Sequence, residues 1–163
     1  MLVFEGLDGS GKSYIAEHIQ KLTGWHLQPS EGPEKYPGEI VKRIMRYNTL
    51  PRKTIFDRHP LISQYIYGAL KPGSIPPPVY LLQEFKRLQP FVIEARNNFP
   101  HILKDHDTMD HLKIVAQRPT LARLYSEFFD MHFPLRHVYT GNFDETVQLA
   151  VSHAREENAR VNG

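Results

Sequence analysis

The residues of this chain with the most explicit chemistry are Gly6-Leu7-Asp8-Gly9-Ser10-Gly11-Lys12-Ser13, which follow Met1-Leu2-Val3-Phe4-Glu5 directly. The stretch satisfies G-x-x-x-x-G-K-[ST] in full, and each residue type in that pattern has a chemical reason. Glycines let backbone N–H groups wrap closely around phosphate oxygens, and a helix N-terminus behind them adds partial positive charge. Lys12 is placed to reach β- and γ-phosphates, and Ser13 to offer a hydroxyl to Mg²⁺. The expected nucleotide-binding residues are therefore Gly6, Gly9, Ser10, Gly11, Lys12, Ser13 and Tyr14. This is the pattern of a nucleoside-triphosphate site.

A second group is Asp57-Arg58-His59, at the end of the apolar run Lys53-Thr54-Ile55-Phe56-Asp57. Phosphoryl transfer is mostly positioning and charge stabilisation, so it requires cations on the equatorial oxygens and a carboxylate to orient the nucleophile. Asp57 and Arg58 supply one of each, although a strand-end ion pair that only braces a loop would look the same in sequence. His59 reads equally as a proton acceptor or as a backbone cap. His101, His106 and His111, with Asp105, Asp107 and Asp110 among them, suggest a metal site, but five-residue spacing does not share a helix face. A polar lid is the better reading of that segment.

The elements needed to position these groups are legible in the pattern. An apolar strand runs into the phosphate loop, and the helix behind it carries Ile15, Ile19 and Leu22 on one face and stops at Gly24. Trp25-His26-Leu27-Gln28-Pro29 reads as a short second strand, and residues 30–38 as turns. Pro37 reads as the first position of a helix with Ile40, Ile44 and Tyr47 inward and Arg43 and Arg46 toward the other side. The run ending at Asp57 is a strand, placing that carboxylate in the crevice where ligands of open parallel sheets sit. Helices follow over residues 60–70 and 79–89, separated by a stiff proline-rich loop at 71–78, and Phe91-Val92-Ile93-Glu94-Ala95 is another buried strand. Residues 101–117 are weakly periodic, whereas Pro119 starts a firmer helix with Leu121, Leu124, Tyr125 and Phe128. His137-Val138-Tyr139-Thr140 is the last strand, and Asn142 with Glu145 reads as a capping box opening a final helix. Strands alternating with helices predict an α/β, three-layer domain with a mostly parallel sheet.

The bulk composition narrows the class. A chain of 163 residues is one domain's worth, with no cysteine for disulfides, thiolate nucleophiles or thiolate metal sites. No leader or membrane-spanning run is evident, so the expectation is a soluble, cytoplasmic protein with no membrane partner. The net charge of +2 leaves nine histidines uncounted. Basic residues are concentrated in one segment, at Lys35, Lys42, Arg43, Arg46, Arg52, Lys53 and Arg58, against Glu39 and Asp57 alone. Such a surface suits a polyanion, and a solvated helix face suits it as well. The guanine motif N-K-x-D of GTPases is absent.

Phe4-Glu5-Gly6-Leu7-Asp8-Gly9-Ser10-Gly11-Lys12-Ser13, followed by Asp57-Arg58-His59 and by Ser63-Gln64-Tyr65-Ile66-Tyr67-Gly68, resembles the thymidylate kinase family. The resemblance covers roughly residues 1–70 by motif and the rest by pattern. It implies a single P-loop kinase domain over residues 1–163, with a five-stranded parallel sheet and a lid-like region at about 97–118. It further implies ATP with Mg²⁺ as donor and a pyrimidine deoxynucleotide as acceptor. Lys12, Asp8, Asp57 and Arg58 would be catalytic, and Ser13 and Asp57 would hold the metal. Glu31, Arg43, Arg58, His59, Gln64, Tyr67 and Arg96 would face the acceptor, with Gln64 reading a pyrimidine edge and Tyr67 stacking on a base. Members of that family often pair through a helix face, so a homodimer is among the expected partners.

The departures from the family pattern are informative. The chain is short, Gly9 occupies the loop position where some members carry a transition-state arginine, and the lid region contains only Lys104, Lys113 and Arg118. Arg96 or Arg118 is left to supply that cation. A second resemblance is to small phage kinases that phosphorylate the 5-hydroxymethyl group of hydroxymethyluracil within DNA. It implies that the basic segment at 35–53 tracks a DNA backbone and that the target base is flipped into the pocket. A P-loop module that binds ATP without transferring phosphate is the remaining alternative.

Overall fold

The structure, a computed structural model, describes residues 1–96 and 108–162, excluding the side chains of residues 108–115 and 162. Its elements in chain order are β1 (Leu2–Gly6), α1 (Lys12–Thr23), β2 (His26–Gln28), α2 (Glu39–Asn48), β3 (Thr54–Asp57) and α3 (Pro60–Gly68). They continue with α4 (Val79–Arg87), β4 (Phe91–Ala95), α5 (Thr108–His132), β5 (His137–Tyr139) and α6 (Phe143–Asn162). The five strands form one sheet in the order β2-β3-β1-β4-β5, with every neighbouring pair parallel. The α/β architecture predicted from the alternation of periods is therefore the one observed.

Strand alternation builds two cores, one on each face of the sheet. Met1, Val3, Phe56 and Val92 pack with α2, α3, α4 and α5, while Leu2, Phe4, Ile55 and Ile93 pack with α1 and α6. Strands buried on both faces read as continuous apolar runs rather than alternating ones, which is why β1 and β4 were visible in the sequence. A charged residue inside such a strand must find a partner, and β1 and β4 each carry one, Glu5 and Glu94, at paired positions in the register.

The sheet order places the phosphate loop at the switch point. The chain leaves β1 for the β2–β3 side and later returns to β4 on the other side, so the carboxyl ends of β1 and β3 open into one crevice. Phe4 is registered with Asp57, and the Arg58 N–H donates to the Phe4 carbonyl at 2.9 Å. Gly6 ends β1 at φ +141°, where an added Cβ would collide with the Ala95 backbone carbonyl of β4. Only glycine permits that approach, and it is what lets the loop start directly at the strand end.

Several local expectations are corrected by the structure. Leu22 is exposed, and Ala16 completes the buried face of α1 with Ile15 and Ile19. Pro37 does not open α2, because Gly38 in left-handed conformation is its N-cap and Glu39 its first residue. Arg43, expected toward the outer side, is buried at 4% exposure by bonds to Glu39 and to the Gly32 carbonyl. Asn142 bonds the Glu145 side chain and accepts from the Thr140 N–H, in place of a reciprocal capping box. Pro119 lies inside α5 rather than at its start. An interior proline costs about 3 kcal/mol. Burial of Leu121, Tyr125, Phe128 and Phe129 beyond it, at about 1.5–3 kcal/mol each, outweighs that cost. The lid-like region is therefore divided, with 108–118 belonging to α5 and 97–107 outside the described residues. The imidazole and carboxylate side chains from His101 to His111 lie outside them as well.

Candidate active site

The phosphate loop has the backbone its sequence demands. Gly9 and Gly11 sit at φ 70° and 81°, a left-handed region that costs glycine little, and Gly11 is the N-cap of α1. The N–H groups of the first turn of α1 therefore have no intrahelical partners and face the loop concavity. Ser10 is fully buried with an unpaired hydroxyl. Ser13 is exposed at the mouth of the loop. Tyr14 is exposed on the α6 side, its ring 5.7 Å from Phe143.

Lys12 is buried, with Nζ donating to the Leu7 carbonyl at 3.2 Å and lying 3.8 Å from Asp8 Oδ1. Burial first, and then the Arg58 charge, lower its ammonium pKa to about 8, against the opposing pull of Asp8, Asp57 and Glu5. The neutral amine has no attraction for phosphate, so kcat/KM for ATP is expected to fall as pH rises through about 8. Bound polyphosphate favours the charged amine, so the break in kcat is expected at higher pH. Initial rates from pH 6 to 10 at low and saturating ATP check both breaks.

Arg58 holds the centre of the site together. It is one of two non-glycine residues with positive φ among the described residues, at 70°, a conformation that costs of order 1–3 kcal/mol. Its guanidinium repays that strain: Nη2 donates to Asp8 Oδ1 at 2.6 Å, and Nη1 to the Tyr125 hydroxyl at 2.7 Å and to Glu5 Oε2 at 3.3 Å. The Tyr67 ring lies 5.5 Å below it. Burial raises the Asp8 carboxyl, but Arg58 and Lys12 outweigh it and hold Asp8 below the usual carboxylate range. Glu5 accepts from Arg58, the Tyr125 hydroxyl, the Ser63 hydroxyl and the His59 N–H. Burial nevertheless pushes its pKa up, against Arg58 and the His59 N–H. Asp57 ends β3 with Oδ1 buried and unpartnered.

Next to this centre is a cavity of about 920 Å³, within the range of small-molecule sites. Residues 30–38, α2, α3 and the proline-rich loop wall it, and Asp8 and Arg58 belong both to this wall and to the phosphate loop's surroundings. Of the acceptor residues expected from sequence, Glu31, Arg43, Arg58, Gln64 and Tyr67 line it. Glu31 is bonded to Arg46 and to the Tyr47 hydroxyl, and Arg43 fixes the 30–38 loop through Gly32 and Glu39. The Gln64 amide donates to Ser74 Oγ and to the Ile75 carbonyl, at 3.0 and 3.3 Å, so its N–H groups hold the loop.

Two expected acceptor residues do not reach the cavity. His59 is fully buried, stacked on Phe85 at 4.3 Å, and its Nδ1 accepts from the Leu61 N–H as the N-cap of α3. Burial pushes its pKa down to about 3, so it is neutral at any working pH. His59→Ala is expected to cost about 2–4 kcal/mol of stability with ATP affinity preserved, as read by urea unfolding and ATP titration. Arg96 is held by Glu94 through two bonds of 2.8 and 3.0 Å and by Ser126, because the buried Glu94 needs a counter-charge. Arg118 does come to the loop, its Nη1 donating to the Asp8 carbonyl at 2.7 Å while Nη2 is buried without a partner.

The basic segment is largely spent internally. Arg43 pairs with Glu39, Arg46 with Glu31, Arg52 with Glu157, and Arg58 with Asp8 and Glu5. Lys35, Lys42 and Lys53 have no ion pair among the described residues.

A parallel five-stranded sheet in this order, with a G-x-x-x-x-G-K-S loop at the switch point, is the P-loop kinase fold. Comparison with one solved structure gives the same fold. The YorR protein from Bacillus subtilis, in complex with phosphorylated GDP, aligns at a TM-score of 0.73 and 15% identity over 97% of each chain. Thymidylate kinase from Ehrlichia chaffeensis aligns at 0.47 and 14% over 94% of this chain and 97% of that one. Deoxyadenosine kinase from M. mycoides, with the products dCMP and dCDP, aligns at 0.43 and 16% over 98% of each. No protein-family model and no curated protein sequence matches the chain. No helix of the described residues is long and apolar enough to cross a membrane.

Proposed function

We propose that the chain is an ATP- and Mg²⁺-dependent kinase that transfers the γ-phosphate of ATP to a pyrimidine deoxynucleotide held in the 920 Å³ cavity. The observation that carries this reading is the shared boundary. Asp8 and Arg58 lie on the cavity wall and beside Lys12 at once, so a ligand in the cavity meets the phosphate loop across those two side chains.

The residues present fit the donor and its metal. The left-handed glycines, the unpaired Ser10 hydroxyl and the Lys12 ammonium suit a polyphosphate. The unpartnered Asp57 oxygen and the exposed Ser13 hydroxyl suit Mg²⁺, which binds through one or two protein oxygens plus phosphates and needs no dedicated cage. When bound, that ion would neutralise charge on the β- and γ-phosphate oxygens. Lys12 holds the donor phosphates, Arg58 orients the acceptor, and Asp57 orients the attacking acceptor oxygen and receives its proton. Glu31, engaged by Arg46 and Tyr47 on the cavity wall, is the weaker candidate for that proton. Arg118 on the loop carbonyl of Asp8 supplies the cation that Gly9 does not.

The acceptor is better read as a free nucleotide than as DNA, because most of the arginines that would track a backbone are paired within the molecule. The test is initial-rate assay with ATP–Mg²⁺ against free pyrimidine and purine deoxynucleotides, nucleosides, and DNA with and without 5-hydroxymethyluracil. The purines belong in the panel because the YorR structure holds a phosphorylated GDP. Turnover on a free pyrimidine monophosphate is the expected outcome. Salt-sensitive activity on modified DNA alone would replace it with the DNA reading, and ATP binding with no transfer would reduce the chain to a binding module.

A further inference from the structure

Tyr125 of α5 is buried at 2% exposure, yet its hydroxyl is not spent on backbone or solvent as a packing tyrosine's would be. It accepts from Arg58 Nη1 at 2.7 Å and donates to Glu5 Oε2 at 3.1 Å. The other edge of the same guanidinium donates to Asp8 Oδ1 at 2.6 Å. A guanidinium is planar, with its donors in a fixed fork, so anchoring one edge fixes the direction of the other. Arg118, seven residues earlier on the same face of α5, donates to the Asp8 carbonyl. One helix thus holds the backbone of Asp8 directly, through Arg118, and its side chain indirectly, through Tyr125 and Arg58.

Resting on the kinase reading above, we propose that Tyr125 is a positioning residue for phosphoryl transfer: its hydroxyl sets the plane of Arg58 toward Asp8 and the cavity. Without it, Arg58 keeps its charge but loses its orientation. Glu5 Oε2 keeps only the longer bond from Arg58. The ring of Tyr125 still packs against Phe129 and Tyr67, so removing the hydroxyl alone leaves the core filled.

The test compares Tyr125→Phe with Arg123→Ala, a change in an exposed ion pair with Glu127 on the same helix. Readouts are kcat, acceptor KM, ATP affinity and the ¹⁵N side-chain signals of Arg58. The expected result for Tyr125→Phe is a kcat lower by about 10- to 100-fold and a raised acceptor KM, with ATP affinity within about twofold. Arg58 signals that are separate and slowly rotating in the wild type should average together in the variant. Arg123→Ala should match the wild type throughout. Unchanged kcat and KM, or unchanged Arg58 signals, in Tyr125→Phe would overturn the proposal even if the melting temperature fell. Freely rotating Arg58 in the wild type would overturn it without any variant. If the wild type transfers phosphate to no acceptor, the kinase reading fails, and the Arg58 signals still decide whether Tyr125 positions the arginine.

Discussion

Asp57→Asn is expected to lower kcat by about 10³-fold while changing ATP affinity only a few-fold. The carboxylate stands at the end of β3, where the register with Phe4 brings it beside the phosphate loop, and one of its oxygens is buried with no partner. A buried carboxylate oxygen left unpaired is costly, and in the proposed reaction an acceptor hydroxyl donating to it would relieve that cost. Asparagine keeps the shape and loses both the charge and the capacity to accept a proton. Single-turnover rates, combined with ATP titration of the same variant, separate loss of chemistry from loss of binding. An Asp57→Asn protein that turns over normally would leave Asp57 with no part in the transfer.

Arg58→Lys is expected to lose about 10²-fold in kcat/KM for the acceptor and about 3 kcal/mol of stability. The fall has two separable causes. Lysine presents a point charge and cannot hold Asp8, Tyr125 and Glu5 together in one plane, as Arg58 does. The shorter ammonium also weakens the pairing of Glu5, buried in the central strand, and a buried carboxylate whose ion pair is loosened is costly. Steady-state kinetics on the acceptor and urea unfolding in the absence of ligand measure the two losses independently. Arginine and lysine bear the same cost for the left-handed backbone at this position, so the strain does not confuse the comparison.

How much of this could be read from the residues depends on the range of the interactions. The strands β1, β3 and β4 were visible because burial on both sheet faces makes their composition continuous, and the phosphate loop because its spacing is dictated by a ligand. The first helix was placed correctly, but its third face residue was not. Leu22 continues the helical period but is exposed, whereas Ala16 joins Ile15 and Ile19 in the core with Ala150 and Ala154 of α6. The network around Glu5 was not read from the sequence, because its partners Arg58, His59, Ser63 and Tyr125 lie more than fifty residues away and carry no local signal. Tyr125 read as one apolar position among several on a helix, with nothing nearby to show that its hydroxyl meets Arg58. Pro119 misled because proline is common at a helix's first position, while here tertiary burial beyond it sustains the interior. The basic segment misled in the opposite sense: counting charges along the chain missed Glu31 and Glu157, which neutralise it from outside or at the edge of the window.

The proposed transfer is tested most directly by the fate of label from γ-³²P ATP and Mg²⁺ incubated with a pyrimidine deoxynucleoside monophosphate. Label is expected on the nucleoside diphosphate, at a rate that Lys12→Ala lowers sharply and Asp57→Asn lowers by about 10³-fold. Label that stays on ATP, or appears only as inorganic phosphate at a rate indifferent to Asp57, would contradict it.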